Sequence, residues 1–227
     1  MSQTELSIAI TGAGGAGVIS CGELLLQAWA REGGRGLLRK AFGPQIRGGE
    51  SAALLKLTES ERYTAASHYD VLLAMDWNNF NRFGDEIQLT PESRVICEEK
   101  GELPAHVAEL GCEVVRLPMA ALAAATHDDG RVNIVAVGVL GQLLGLPAAS
   151  LVELSQHKLA HKPAEYRAAA GACIEVGYEQ SLDCSLQPPR RSEGEPWYIS
   201  GNQAAGLGAL EAGIRFVAAY PITPASD

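Results

Sequence analysis

Glycines are concentrated near the start of the chain, where four of the six residues from Gly12 to Gly17 lack a side chain. Their spacing fits the Gly-x-Gly-x-x-Gly pattern, in which a tight turn presents backbone N–H groups to a phosphate. A helix that begins after the turn adds about half a positive charge at its N-terminus. The turn is therefore a candidate site for a phosphate-bearing ligand, with Gly12, Gly14, Gly15, Ala16, Gly17 and Val18 as contacts. The same glycines would also allow a strand and a helix to pack closely without binding anything.

Two groups of basic residues follow the turn. Arg39 and Lys40 lie about 20 residues beyond the glycines, where an NAD-binding unit carries an acidic residue for the ribose hydroxyls. A basic pair suits a phosphorylated ribose, as in NADP or coenzyme A, and equally suits a solvated surface. Arg47, Gly48 and Gly49 form a second place where backbone donors and a guanidinium could meet an anion. A turn that leads into an edge strand has the same composition.

The elements that position these residues alternate between strand and helix. An apolar run over 8–13 precedes the glycines, and Val18 to Ala30 continues as a helix. Further strand candidates are Leu37–Leu38, as the second strand of a βαβ unit, Ser51–Leu57, His68–Asp76, Arg94–Cys97 and Glu113–Pro118. Helix candidates are 119–126, 133–144, a helix capped by Ser150, and 163–178. This order predicts the α/β class, with a layered Rossmann-like domain over 1–186 and a mostly parallel sheet.

The end of the chain predicts a linker and a truncated second α/β domain. Residues 187–196 are rich in proline and charge, which is typical of a linker. Residues 197–227 contain one predicted helix, Gln203–Gly213, and one predicted strand, Phe216–Tyr220. Because so short a segment cannot close a hydrophobic core, it is expected to be a fragment of a larger domain.

Composition excludes several classes of protein. The formal net charge of −9 argues against nonspecific nucleic-acid binding, which needs a basic surface. Neither a signal peptide nor an apolar run of about 18 residues is evident, so no membrane span is expected. The five cysteines contain no Cys-x-x-Cys pair, which predicts a cytoplasmic protein without its own iron–sulfur cluster. His157 and His161 have helical spacing for a metal, but no third ligand accompanies them, and we expect no metal site.

Two segments on either side of the predicted linker resemble the 2-oxoacid:ferredoxin oxidoreductases. Gly201–Gly213, followed by Tyr220-Pro221-Ile222-Thr223-Pro224, is similar to the start of the thiamine-pyrimidine domain of that family. Gly12–Val18 and Arg47-Gly48-Gly49 are similar to motifs of its gamma domain. The order of the two domains is that of members resembling 2-oxoglutarate:ferredoxin oxidoreductase alpha subunits, in which gamma precedes alpha.

This resemblance implies an enzyme complex that oxidatively decarboxylates a 2-oxoacid, expected to be 2-oxoglutarate, to an acyl-CoA and passes electrons to ferredoxin. It implies that the gamma domain binds coenzyme A, with the diphosphate over Gly14 to Val18 and Arg39, Lys40 or Arg47 near the phosphates. The loop Tyr220–Pro224 would lie at the thiamine pocket, where Thr223 would donate a hydrogen bond to the substrate carboxylate.

The same resemblance implies that most of the cofactors of the reaction are bound outside this chain. Thiamine diphosphate, Mg²⁺ and the iron–sulfur cluster would be held largely by a beta subunit of a hetero-oligomer, so this fragment alone is expected to be inactive. The alternatives are a docking module that binds no ligand, and a pyruvate or indolepyruvate member of the family. An NADP-dependent oxidoreductase is disfavoured because no catalytic constellation follows the glycine turn.

Overall fold

A computed structural model of the chain describes residues 4–43, 49–60, 64–78, 80–180, 182, 187–191, 194, 196–218 and 220. The strands are β1 Glu5–Ala13, β2 Arg35–Phe42, β3 Glu50–Thr58, β4 Val71–Ala74, β5 Arg94–Glu98 and β6 Glu113–Leu117. The helices are α1 Val18–Arg31, α2 Ala105–Ala108, α3 Met119–Thr126, α4 Val132–Leu143, α5 Ala148–Lys158, α6 Ala164–Tyr178 and α7 Gly201–Glu211, with a 3₁₀ helix at Phe80–Phe83.

The strands form one sheet in the order β2-β3-β1-β4-β5-β6. Strands β1, β4, β5 and β6 pair in parallel, whereas β3 is antiparallel to both β1 and β2. Five strands therefore run in one direction and only β3 is reversed. The predicted α/β class with a mostly parallel sheet is confirmed.

The predicted position of the second strand is wrong in one respect, because β3 lies between β1 and β2. The chain turns back after β2 as a hairpin, in which the N–H of Gly43 donates to the carbonyl of Glu50 at 2.9 Å. All nine residues of β3 are buried, and a strand buried on both faces belongs inside a sheet rather than at its edge. Strand β2 consequently takes the edge position.

The two faces of the sheet carry two separate apolar cores. Ile8 and Ile10 face the larger core, which contains α1, α4 and α6, whereas Ala9 faces the smaller one around Phe80 and Phe83. This alternation follows from the two-residue period of a strand. The same alternation places the strand residues near the glycine turn on one face of the sheet or the other.

Some predicted element boundaries are wrong. The strand predicted over His68–Asp76 is only Val71–Ala74, and the helix predicted to start at a Ser150 cap begins at Ala148, after Pro147. Proline has its φ fixed near the helical value and lacks an N–H, so it starts a helix without needing a side-chain cap.

Contacts divide the chain into one unit over Met1–Pro196 and another over Trp197–Asp227, so the predicted linker falls within the first unit. In the second unit, Ser200 and Gln203 form a reciprocal capping box that starts α7 two residues before the predicted Gln203. The predicted strand over Phe216–Tyr220 is wrong, since 216–218 and 220 are not in a strand. A strand needs a paired neighbour, and the described part of this unit offers none.

Candidate functional site

The glycine turn joins β1 to α1 at the carboxyl edge of the sheet. Gly17, at the N-cap of α1, has a φ of 82°, a conformation that favours glycine. The N–H of Gly14 donates to the carbonyl of Gly49, so the start of β3 lies against the turn. A Cβ on Gly14 would lie 2.6 Å from that carbonyl oxygen. The structure therefore brings Gly49, predicted as part of a second anion site, next to the first one.

The turn leaves a group of backbone donors available. Cys21 is the first residue of α1 whose N–H bonds to the turn, donating to Gly17 at 2.9 Å. The N–H groups of Gly15, Gly17 and residues 18–20 have no acceptor among the residues that the structure describes. Gly15 is exposed and a Cβ there would meet nothing within 4 Å. Such a group of N–H donors at a helix N-terminus fits an anion such as a phosphate.

Two polar side chains brace the turn rather than facing a ligand. Asp76 accepts hydrogen bonds from Ala13 N–H at 2.8 Å and from Asn78 N–H at 2.9 Å, so both carboxylate oxygens contact backbone. Asn133, at the start of α4, donates to the carbonyl of Gly17 at 3.4 Å. Asp76 follows β4, at the strand end where ligands bind in open α/β sheets, but its carboxylate holds the fold of the turn.

The predicted basic pair is split by the sheet. Lys40 lies on the α1 side, where its Nζ is 2.6 Å from Glu23 Oε1, and Lys158 lies 3.0 Å from the other oxygen. Burial raises the pKa of Glu23, but the hydrogen bonds from both lysines outweigh burial and its pKa is lowered overall. Arg39 is exposed, and its neighbour Ala41 packs on the smaller core, which puts the Arg39 side chain on the opposite face.

A third cation near the turn was missed by sequence reasoning. Arg82, in the 3₁₀ helix, contacts both carboxylate oxygens of Glu50 through Nη1, at 3.2 and 3.1 Å. Glu50 is 3% exposed, follows Gly49 directly and is the register partner of Ala13. In the sequence, the most noticeable feature of segment 77–83 is its aromatic residues, which suggest packing. No local pattern relates Arg82 to Glu50, which lies 32 positions earlier.

Several predicted residues cannot be placed. Arg47 and Gly48 lie outside the described residues, as do Pro221, Ile222, Thr223 and Pro224 of the predicted thiamine loop. Tyr220 is described and is 79% exposed.

The cysteines and histidines form no metal site in the described part of the chain. Cys21, Cys97, Cys112 and Cys173 are buried free thiols, and burial raises the pKa of each. The described residues contain no group of three His, Cys, Asp or Glu side chains that could hold a metal ion. His161 lies beyond the end of α5 at Lys158, so it does not share a helix face with His157. No helix within the described ranges is long and apolar enough to cross a membrane.

The α/β sheet with donor groups at the α1 N-terminus is typical of a Rossmann-like ligand-binding domain. The family model described as pyruvate ferredoxin/flavodoxin oxidoreductase matches residues 7–180. The chain belongs to this family. It is 26% identical over 160 residues to the 2-oxoglutarate synthase subunit KorC of Archaeoglobus fulgidus, a match that covers 68% of this chain and 79% of that subunit.

Two solved structures have a fold similar to that of this chain. The 2-oxoglutarate:ferredoxin oxidoreductase from Magnetococcus marinus, with 2-oxoglutarate, coenzyme A and succinyl-CoA bound, matches with a TM-score of 0.78 and 27% identity over 99% of this chain. This chain spans 40% of that longer chain. The pyruvate oxidoreductase subunit PORC from Thermotoga maritima matches with a TM-score of 0.62 and 16% identity, covering 78% of this chain and 97% of that subunit. The second likeness concerns the fold alone.

Proposed function

We propose that the chain is the coenzyme A-binding gamma domain, joined to the start of the thiamine-pyrimidine domain, of a 2-oxoglutarate:ferredoxin oxidoreductase. The observation that carries the proposal is the set of backbone N–H groups at Gly15, Gly17 and residues 18–20, at the N-terminus of α1, for which the described part of the chain offers no acceptor. A diphosphate is a multiply charged anion that suits this donor arrangement. The coenzyme A and succinyl-CoA in the similar Magnetococcus marinus enzyme support the choice of ligand.

In this proposal the diphosphate lies over Gly14 to Val18. The backbone donates the hydrogen bonds, and the absence of a Cβ at Gly15 lets the phosphate approach. The proposal assigns Arg39, which is exposed on the opposite face of the sheet, to the phosphates as a further cation, whereas Lys40 is held by Glu23 at 2.6 Å and contributes at most a longer-range field. The proposal also assigns Arg47, Gly48 and Gly49 to the ligand; of these, Gly49 is described, and its carbonyl accepts the N–H of Gly14.

The second unit contributes the start of the thiamine pocket in this proposal. Tyr220–Pro224 forms the substrate loop, and Thr223 donates a hydrogen bond to the substrate carboxylate. A beta subunit carries most of the thiamine diphosphate, Mg²⁺ and iron–sulfur sites, and ferredoxin accepts the electrons. When bound, thiamine diphosphate supplies the carbanion stabilisation that decarboxylation of a 2-oxoacid needs. The 227-residue chain by itself is then inactive.

The ligand assignment is tested with two matched substitutions in the assembled complex. Gly15 and Gly111 are both exposed, both have positive φ (91° and 68°), and a Cβ on either would meet no atom within 4 Å. Gly15→Asp places a carboxylate at the donor group and is expected to weaken coenzyme A binding at least about tenfold in calorimetric titration, because like charges repel. Gly111→Asp, its control, leaves the affinity unchanged. Unaltered binding by Gly15→Asp would contradict the site.

The reaction is tested separately, by ferredoxin reduction and acyl-CoA formation with 2-oxoglutarate, pyruvate and indolepyruvate. The proposal expects coenzyme A-dependent turnover with 2-oxoglutarate as the preferred acid. Preference for another acid would reassign the substrate but keep the ligand site. If wild-type complex binds no coenzyme A and Gly15→Asp instead prevents assembly with the beta subunit, the domain is a docking module and the proposal is wrong.

A further inference from the structure

Arg82 is held in a fixed position by a buried carboxylate. Its Nη1 contacts both oxygens of Glu50, whose side chain is 1% exposed. The chain passes directly over this carboxylate, since a Cβ on Gly43 would lie 2.1 Å from Oε1. A buried carboxylate strongly disfavours loss of its ion-pair partner, because an uncompensated charge would remain out of water. Glu50 therefore keeps the guanidinium of Arg82 at this place in the fold.

This place is the rim of the glycine turn. Glu50 pairs in register with Ala13, the last residue of β1, and Gly49 accepts the N–H of Gly14. The segment that carries Arg82 is also tied to the turn at its start, through the 2.8 Å hydrogen bond between Asp76 and Ala13. Both ends of this short segment are thus bonded to residues that border the proposed diphosphate site.

The guanidinium of Arg82 has hydrogen-bond donors that the contact with Glu50 does not use. The contact with Glu50 uses Nη1 alone, and neither Nη2 nor Nε has an acceptor in the described part of the chain. The side chain is 44% exposed, so these donors are open to solvent. A planar guanidinium with two unused donors in a fixed fork suits a phosphate oxygen pair.

Arg82 and the donors of α1 lie on opposite faces of the sheet. Helix α1 packs on the larger core, whereas Phe80 and Phe83, on either side of Arg82, belong to the smaller core. If one anionic group of a ligand is bound by the α1 N–H groups, Arg82 is available to a second anionic group of the same ligand at some distance from the first. Coenzyme A has such a group, the phosphate on its ribose.

We infer that Arg82, oriented by Glu50, binds the ribose phosphate of coenzyme A and makes the site discriminate against dephospho-coenzyme A. The assignment rests on the proposed coenzyme A function and adds a specificity-determining residue to it.

The experiment measures the affinities of the complex with full-length subunit for coenzyme A and for dephospho-coenzyme A. Wild type is expected to prefer coenzyme A by at least about tenfold, the worth of one charge-assisted contact. Glu50→Gln/Arg82→Gln is expected to abolish this preference while binding dephospho-coenzyme A as wild type does. The double substitution avoids leaving the Glu50 carboxylate buried without a partner. Arg82→Lys keeps the positive charge but loses the planar guanidinium, and it is expected to retain part of the preference.

Arg31→Gln is the matched control, since Arg31 lies at the C-terminal end of α1, is 42% exposed and forms a 3.1 Å ion pair with Glu153 of α5. It is expected to keep the full preference. The inference is overturned if wild type does not discriminate between the two ligands, or if the double variant loses the same factor of affinity for both. Failure of wild type to bind coenzyme A at all would instead overturn the proposed function.

Discussion

Asp76 accepts the N–H of Ala13 at 2.8 Å, and Asp70 accepts the N–H of Ser7 at 2.7 Å, each across 63 residues of sequence. The two aspartates flank β4, and their partners lie in β1. The same kind of bond therefore holds β1 beside β4 at both ends of the parallel pair. Only the Asp76 bond lies at the glycine turn.

Asp76→Ala is expected to lower the free energy of unfolding by about 1–3 kcal/mol, because the partly buried Ala13 N–H loses a charged acceptor. It is also expected to weaken coenzyme A binding, since the turn loses its brace. Urea unfolding and calorimetric titration measure the two effects. Asp70→Ala is the control, expected to show a similar loss of stability with unchanged affinity. Equal loss of affinity in both variants would show that Asp76 has no special part in shaping the site.

Gly138→Ala is expected to destabilise the packing of α4 against α6. A Cβ at Gly138 would lie 2.1 Å from the backbone oxygen of Ile174, so a helix must shift, at a cost of about 1–3 kcal/mol. Gly171→Ala, in α6, meets side-chain atoms alone, a methyl of Val152 at 3.3 Å and Nε2 of Gln156 at 3.8 Å, and it gains helix propensity, so it should stay within about 1 kcal/mol of wild type. Thermal unfolding of both variants compares them, and equal melting temperatures would refute the close helix contact.

Acid is expected to remove the stabilisation supplied by Glu23. Because the folded-state pKa of Glu23 is lowered by Lys40 and Lys158, its contribution is complete above the unfolded carboxyl pKa of about 4.3 and is lost as pH falls through the folded pKa. Urea unfolding between pH 6 and pH 3 should therefore show a steeper loss of stability for wild type than for Glu23→Gln. Glu153→Gln, which removes an exposed ion pair, should follow wild type. Parallel curves for wild type and Glu23→Gln would contradict the role of the two lysines.

Arg191 is expected to hold the segment predicted as a linker against the rest of the first unit. Its guanidinium lies 4.9 Å from the Trp29 ring centre and donates to the carbonyls of Leu144 and Gly145, both at 2.9 Å. Arg191→Ala should cost about 2 kcal/mol and speed proteolysis within 187–196. Arg190→Ala is the control, because Arg190 bonds Glu59 through its backbone N–H, which the substitution keeps. Equal proteolysis of the two variants would mean that Arg191 does not hold the segment.

Local patterns predicted much of the first unit. The run of apolar residues before Gly12 and the apolar periodicity after Gly17 identified β1 and α1, because these signals depend on neighbours in sequence. The capping box formed by Ser200 and Gln203 is also a local signal, because the Ser-x-x-Gln spacing by itself indicates that α7 starts after Ser200. The spacing of His157 and His161 matches one turn of a helix, but α5 ends at Lys158, between them.

The sequence by itself determined that a glycine turn opens a helix and can present N–H groups to an anion, because backbone freedom is a property of glycine at each position. Only the tertiary structure decided which cations lie near the turn. A strand of period two sends Arg39 and Lys40 to opposite faces, and Lys40 is neutralised by Glu23 of α1. The insertion of β3 beside β1 carries Glu50 to the turn and with it Arg82. Such pairings join residues far apart in sequence, and only packing of the whole sheet brings them together.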